Sequence, residues 1–160
     1  MERELKVINR NPDTSKKKSS SDLDSLDERL SQILGTKDEV PGVDESTLQI
    51  FLRYLKENLE HPCVLTGSED IGIFGWEERY RFINNKKEYA QRRKKEPSYK
   101  DTYKLMSFAN DVEYGIWVKA KRESDKKTFD LPLKDLEVKD RQSKNFRPVQ
   151  DYVIWYVNWR

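Results

Sequence analysis

The chain of 160 residues is about the size of one domain, and its 31 Lys plus Arg against 29 Asp plus Glu leave a formal net charge of only +2. Charged residues make up 38% and apolar ones 35%, yet 11% are aromatic, with 4 Trp and 8 Tyr, which excludes a wholly disordered chain. One Cys and one His exclude an internal disulfide framework, a multi-Cys zinc site and paired-His metal motifs.

Residues 9–21 contain no large apolar side chain and read as a flexible tether. A short amphipathic helix is expected next, over residues 22–34. Leu23, Leu26, Leu30, Ile33 and Leu34 recur at helical spacing, Ser21 or Asp22 can cap the start, and Gly35 suits the end. After the break at Pro41-Gly42, Asp44 or Ser46 can cap a second helix, whose Leu48, Phe51, Leu52, Leu55 and Leu59 share one face. His61-Pro62 ends it, because the residue before proline is pushed out of the α region. Residues 62–67 are too few for a helix and read as a strand. Residues 68–85 are predicted to form a Gly-rich acidic loop, then a strand over 77–82.

Residues 86–96 favour a helix by propensity but offer only Tyr89 and Ala90 for packing. A strand is expected over 101–108. The clearest β signal follows: Ile116, Val118 and Ala120 alternate with Trp117, Lys119 and Lys121, and Phe129, Leu131 and Leu133 continue the pattern beyond a turn at 124–127. A tight turn at 133–136 and a short strand at 137–138 come next. In the tail, Tyr152, Trp155, Tyr156 and Trp159 fit a helix face, while Val153, Trp155 and Val157 fit a strand; Pro148 and Asp151 favour the helix. The expected fold class is α+β, an N-terminal helix packed on a small SH3-like or Tudor-like antiparallel barrel with a C-terminal aromatic helix or strand. The barrel domain is expected over 41–160, with 1–40 as a tether.

Four segments carry a family resemblance. They are residues 54–63 (Tyr-Leu-Lys-Glu-Asn-Leu-Glu-His-Pro-Cys), Glu69-Asp70 with the Trp-Glu-Glu-Arg-Tyr run at 76–80, residues 119–138 with Asp130-Leu-Pro-Leu-Lys-Asp-Leu136, and the Asp-Tyr-Val-Ile-Trp run at 151–155. Over its last two thirds the chain resembles bacterial calcium-binding proteins of the type described in cyanobacteria. The resemblance implies an SH3-like barrel, no catalysis, and Ca²⁺ held by surface carboxylates.

Calcium takes six to eight hard oxygens, several of them carboxylate. Glu69, Asp70, Glu77 and Glu78 form a local concentration of carboxylates without a lysine among them. Gly67, Gly72 and Gly75 let the backbone bend so that carbonyls can join, and Asp111 and Glu113 can approach from a neighbouring strand end. The competing reading is a set of solvated loop carboxylates. An EF-hand is excluded, because Asp22-Leu-Asp24 lacks the later ligands and the central glycine.

Residues 81–104 hold nine Lys/Arg against Glu88, Glu96 and Asp101, beside the acidic stretch 66–80. Arg92, Arg93, Lys94 and Lys95, with Tyr89, Tyr99 and Tyr103, make this the candidate surface for a protein or nucleic-acid partner. Nucleic-acid binding requires the charges to share a face with exposed aromatics. Without a base-reading motif it is expected to be weak and salt-sensitive at most. Residues 22–34 are a candidate docking helix for a protein partner. Trp117, Trp155, Tyr156 and Trp159 are read as core before any cation cage. Cys63 is read as a small buried apolar residue, and its thiol fits a reducing, cytoplasmic compartment. No apolar run has the length of a membrane span and the start lacks a signal-peptide core, so no membrane association is expected.

Overall fold

The computed structural model describes residues 17–69 and 71–160, with side chains from Ser25 onward. The chain divides into two compact units, residues 1–41 and 42–160. In the first, α1 spans Lys17–Leu34. It begins five residues before the expected Asp22, so the end of the expected tether is helical. Adding turns to an existing helix fixes one residue per hydrogen bond, unlike starting one. Residues 9–16 of that tether lie outside the described residues. Gly35 closes α1 with a left-handed φ of 77°, and the Thr36 amide donates to the Ser31 carbonyl at 2.9 Å. This is the glycine C-terminal cap that the spacing predicts.

In the second unit α2 (Glu45–Asn58) is capped by Asp44. The Thr47 amide donates to Asp44 Oδ1 at 2.9 Å, and the Asp44 amide donates to Thr47 Oγ1 at 2.9 Å. The bond from the Thr47 amide, and then one from the Ser46 hydroxyl, hold the Asp44 carboxyl below its ordinary pKa. Two links set α4 (Phe146–Asn158) antiparallel to α2. Val43 near the start of α2 donates to the Trp159 carbonyl at 3.0 Å. At the other end Asn145 bonds both the amide and the carbonyl of Glu60, at 2.8 and 2.7 Å. Phe51 stacks on Trp155 at 5.1 Å and meets Tyr152 edge-on at 5.4 Å. The tail is therefore a helix, and Tyr152, Trp155 and Tyr156 are core. Tyr152 accepts the Ile116 amide at 2.8 Å, fixing α4 to the sheet.

The sheet contains β1 (Val64–Gly67), β2 (Thr102–Phe108), β3 (Trp117–Arg122), β4 (Thr128–Pro132) and β5 (Leu136–Val138), ordered β4-β3-β2-β1-β5. All its pairings are antiparallel. β4 and β5 are consecutive, joined by one 3₁₀ turn, Leu133–Asp135, yet they form opposite edges. A flat sheet would hold those edges about 19 Å apart, from four steps of about 4.8 Å, whereas three 3₁₀ residues rise only about 6 Å. The sheet must therefore curl. A bulge at Met106, between the Leu105–Ala120 and Ser107–Lys119 pairs, helps bend β2. The closed barrel expected from the hairpin pattern is nevertheless not formed: β4 and β5 do not pair, and the five-stranded sheet stays open. β5 has only three residues, and β1 takes up its ladder bonds.

The strand expected over 77–82 is instead part of a 3₁₀ segment, Gly72–Arg81. Phe74 and Glu77 are buried and Tyr80 half-buried, a period of three that matches 3₁₀ winding and not β alternation. α3 (Lys86–Lys95) forms as propensity predicts, although none of its residues is buried.

Candidate functional site

The acidic loop after β1 is organised by a residue far along the chain. Ser68 donates its amide to the Asp135 carbonyl at 3.0 Å. The Ile73 amide donates to Asp135 Oδ2 at 3.1 Å. Lys134 Nζ lies 3.1 Å from Asp135 Oδ1. Asp135 is buried in the 3₁₀ turn before β5, and Ser68 and Ile73 both close onto it. Gly72 permits this in two ways. Its φ is 59°, and a Cβ there would collide with the Asp135 carboxylate. Gly72→Ala is expected to cost about 1–3 kcal/mol by combining backbone strain with that collision. Equilibrium denaturation measures the loss, and a midpoint unchanged from wild type would show that the loop is not folded this way.

Of the carboxylates singled out above, Glu69 and Glu78 are exposed, as are Asp111 and Glu113. Asp111 Oδ1 accepts the Glu113 amide at 2.8 Å in a local turn. Asp70 lies outside the described residues. Among the described residues no three Asp, Glu, His or Cys side chains are grouped to hold a metal ion. Asp135 was not in the set read from sequence. Its signal was the Lys134-Asp135 pair in the tight turn, but only the fold brings that turn to Ser68 and Ile73.

Glu77 has a different setting. It is buried, and three donors converge on it: Tyr89 Oη at 2.6 Å, Ser98 Oγ at 2.7 Å and the Tyr99 amide at 3.2 Å. Burial, then the bond to Glu77, pushes the Tyr89 phenol up to about 12. Trp76, Tyr80 and Tyr89 pack with centroids 5.4–6.1 Å apart, and Trp76 Nε1 donates to the Pro97 carbonyl at 2.7 Å. The first half of α3 is thus anchored through Tyr89 and the Glu77 carboxylate, which helps offset its missing apolar face.

The C-terminal end of α3 is held by Arg122 of β3, only 3% exposed. Its guanidinium donates to the carbonyls of Arg93, Lys94 and Glu96 at 2.8–3.2 Å. It pairs with Asp101 at 3.0 Å and Asp125 at 2.8 Å, and lies over the Phe129 ring. Of the four basic residues proposed from sequence, Arg92 sits over Trp76 at 5.2 Å and Arg93 bonds Asp101 at 3.0 Å. Lys94 and Lys95 are exposed. Cys63 is buried, and burial pushes its thiol up to about 11, which leaves it a poor nucleophile. Among the described residues no helix is long and apolar enough to cross a membrane.

No family model matches the chain, and no curated protein matches it. Two solved structures do. One is the crystal structure of Anabaena CcbP, with a TM-score of 0.54 and 15% identity over 92% of either chain. The other is a calcium-binding protein in the calcium-binding form, with a TM-score of 0.53 and 16% identity, over 84% of this chain and 90% of that one. At these identities the likeness shows a shared fold.

Proposed function

We propose that this chain is a non-enzymatic calcium-binding protein, with its ion carried beside Asp135, where Ser68 and Ile73 close onto that residue. The observation that carries this reading is the shared fold with a structure described as a calcium-binding protein in its calcium-binding form. The donor chemistry supports it in part. Glu69, Asp135 and the loop carbonyls are hard oxygens, which suit Ca²⁺, and Asp70 adds a carboxylate by sequence. Glu69 and Asp135 fall short of a full coordination shell, so water would complete it. With so few charged ligands the expected affinity is about 10⁻⁴–10⁻³ M, the weak end of the calcium range. Lys134 beside Asp135 opposes the ion further. The curled meander, with its 3₁₀ turn leading into β5 beside β1, supports an SH3-like assignment within the α+β class. The unpaired, buried Cys63 supports a cytoplasmic location.

Thermal melts of chelator-treated protein test the reading. Millimolar Ca²⁺ is expected to raise the Tm by about 2–5 °C over salt controls, and Mg²⁺ by less, because it demands a stricter octahedron. Glu69→Gln with Asp135→Asn should abolish the rise, Asp111→Asn should leave it intact, and Lys134→Met should enlarge it. A Ca²⁺ response that survives the double substitution would place the ion elsewhere. No response at several millimolar would leave the likeness to the calcium-binding structure one of fold alone.

A further inference from the structure

We propose that the groove between the 3₁₀ segment and the start of α3 binds single-stranded nucleic acid, with bases stacked on Phe82 and Tyr99 and phosphates held by Lys86 and Lys100. The groove encloses about 480 Å³, and Tyr80, Phe82, Tyr89 and Tyr99 contribute its rings. That volume falls within the range of ligand pockets, about 300–1,000 Å³. Phe82 is 90% exposed, a large apolar face left in water at the rim. Arg81, Lys86 and Lys100 line the same groove, and Lys100 Nζ lies 5.7 Å from the Tyr99 ring centroid.

The charge around the rings is one-sided. Residues 81–104 carry a net charge of +6. Among the described residues the one carboxylate lining the groove is Glu77, and both of its oxygens are already engaged by Tyr89, Ser98 and the Tyr99 amide. The Tyr80 hydroxyl, in the groove wall, is buried and has no hydrogen-bond partner among the described residues. Cations beside an exposed ring are what a single strand uses, since every base offers a π-face and every linkage a negative charge. A duplex hides its bases, and an acidic peptide would satisfy the lysines while leaving the rings unused. Within the basic segment suggested by sequence the groove uses other cations than the four singled out there, since Arg92 and Arg93 are committed to Trp76 and Asp101 and Lys94 and Lys95 do not line the groove.

The test is fluorescence anisotropy of a labelled oligouridine of about twelve nucleotides with the full chain in low salt. Chelator is present throughout, so the outcome is independent of the calcium reading. Binding is expected, with matched duplex and polyglutamate competing poorly. Phe82→Ala should weaken binding about fivefold or more while leaving the Tm unchanged, because its side chain is almost wholly in solvent. Lys86→Ala and Lys100→Ala should each flatten the log–log salt dependence by about 0.7. Lys94→Ala with Lys95→Ala should change affinity less than either. The proposal is overturned if the oligonucleotide does not bind in low salt, or if Phe82→Ala binds as well as wild type. It is also overturned if polyglutamate displaces the strand as readily as unlabelled oligouridine, which would assign the groove to an acidic peptide.

Discussion

Arg122→Met is expected to destabilise the protein by about 3–5 kcal/mol, lowering the Tm by roughly 10 °C. The side chain of Arg122 is 3% exposed, and it serves two carboxylates and three carbonyls. Its removal leaves Asp101, 11% exposed, without its buried cation and uncaps the C-terminal end of α3. Arg122→Lys should recover only part of the loss, since an ammonium cannot span a planar fork of acceptors. Far-ultraviolet circular dichroism should show helix content falling with the Tm. A Tm within about 2 °C of wild type would mean that α3 is held by other contacts. The same cluster carries an acid limit. Hydrogen bonds from Arg122 and then from the Lys127 amide hold the Asp125 carboxyl well below its ordinary pKa. A depressed folded-state pKa contributes stability that is present above the unfolded value, about 4, and is lost as pH falls through the folded one. Stability should therefore decline progressively below about pH 4, and Asp125→Asn should flatten that decline.

Glu77→Ala is the second large effect, about 3 kcal/mol. It leaves the Ser98 hydroxyl and the Tyr99 amide without their acceptor and frees Tyr89 from the 3₁₀ segment. A hydrogen bond to a charged group contributes about 1.5–3 kcal/mol, and stranded buried donors add their own cost. Glu77→Gln keeps the shape but offers one acceptor oxygen in place of two, so an intermediate loss is expected. The loss should be the same in Ca²⁺ and in chelator, measured by denaturant titration. A loss that appears only in Ca²⁺ would make Glu77 a metal ligand. The phenol of Tyr89, held up to about 12 by burial and this bond, gives a second readout. Its ultraviolet titration should shift toward the ordinary tyrosine range in Glu77→Ala.

The local elements were determined by sequence where period and punctuation agreed. Leu48, Phe51, Leu52 and Leu55 mark the buried face of α2, and Asp44 and Gly35 stand where a capping box and a left-handed cap require them. Alternation from Ile116 to Leu133 set the β3–β4 hairpin and its inner face. These signals survive without tertiary context because they arise from neighbours within one turn or one strand pair.

Where the buried group is polar, the hydrophobic period breaks and the sequence misleads. Glu77 hides the period of three in residues 74–80, and Arg122 occupies the inward position after Val118 and Ala120, where alternation alone expects an apolar side chain. Both are tolerable inside only because distant segments supply partners: residues 89, 98 and 99 for Glu77, and residues 93–101 and 125 for Arg122. Asp135 meets Ser68 and Ile73 because β5 pairs with β1, a contact about seventy residues long in the chain. Phe82 and Lys100 share a groove because Glu77 ties the 3₁₀ segment to Tyr89, Ser98 and Tyr99. A sequence shows that such carboxylates, cations and rings exist. Only the curl of the sheet and the docking of α3 decide which of them meet, because long-range pairing leaves no periodic mark on the residues that make it.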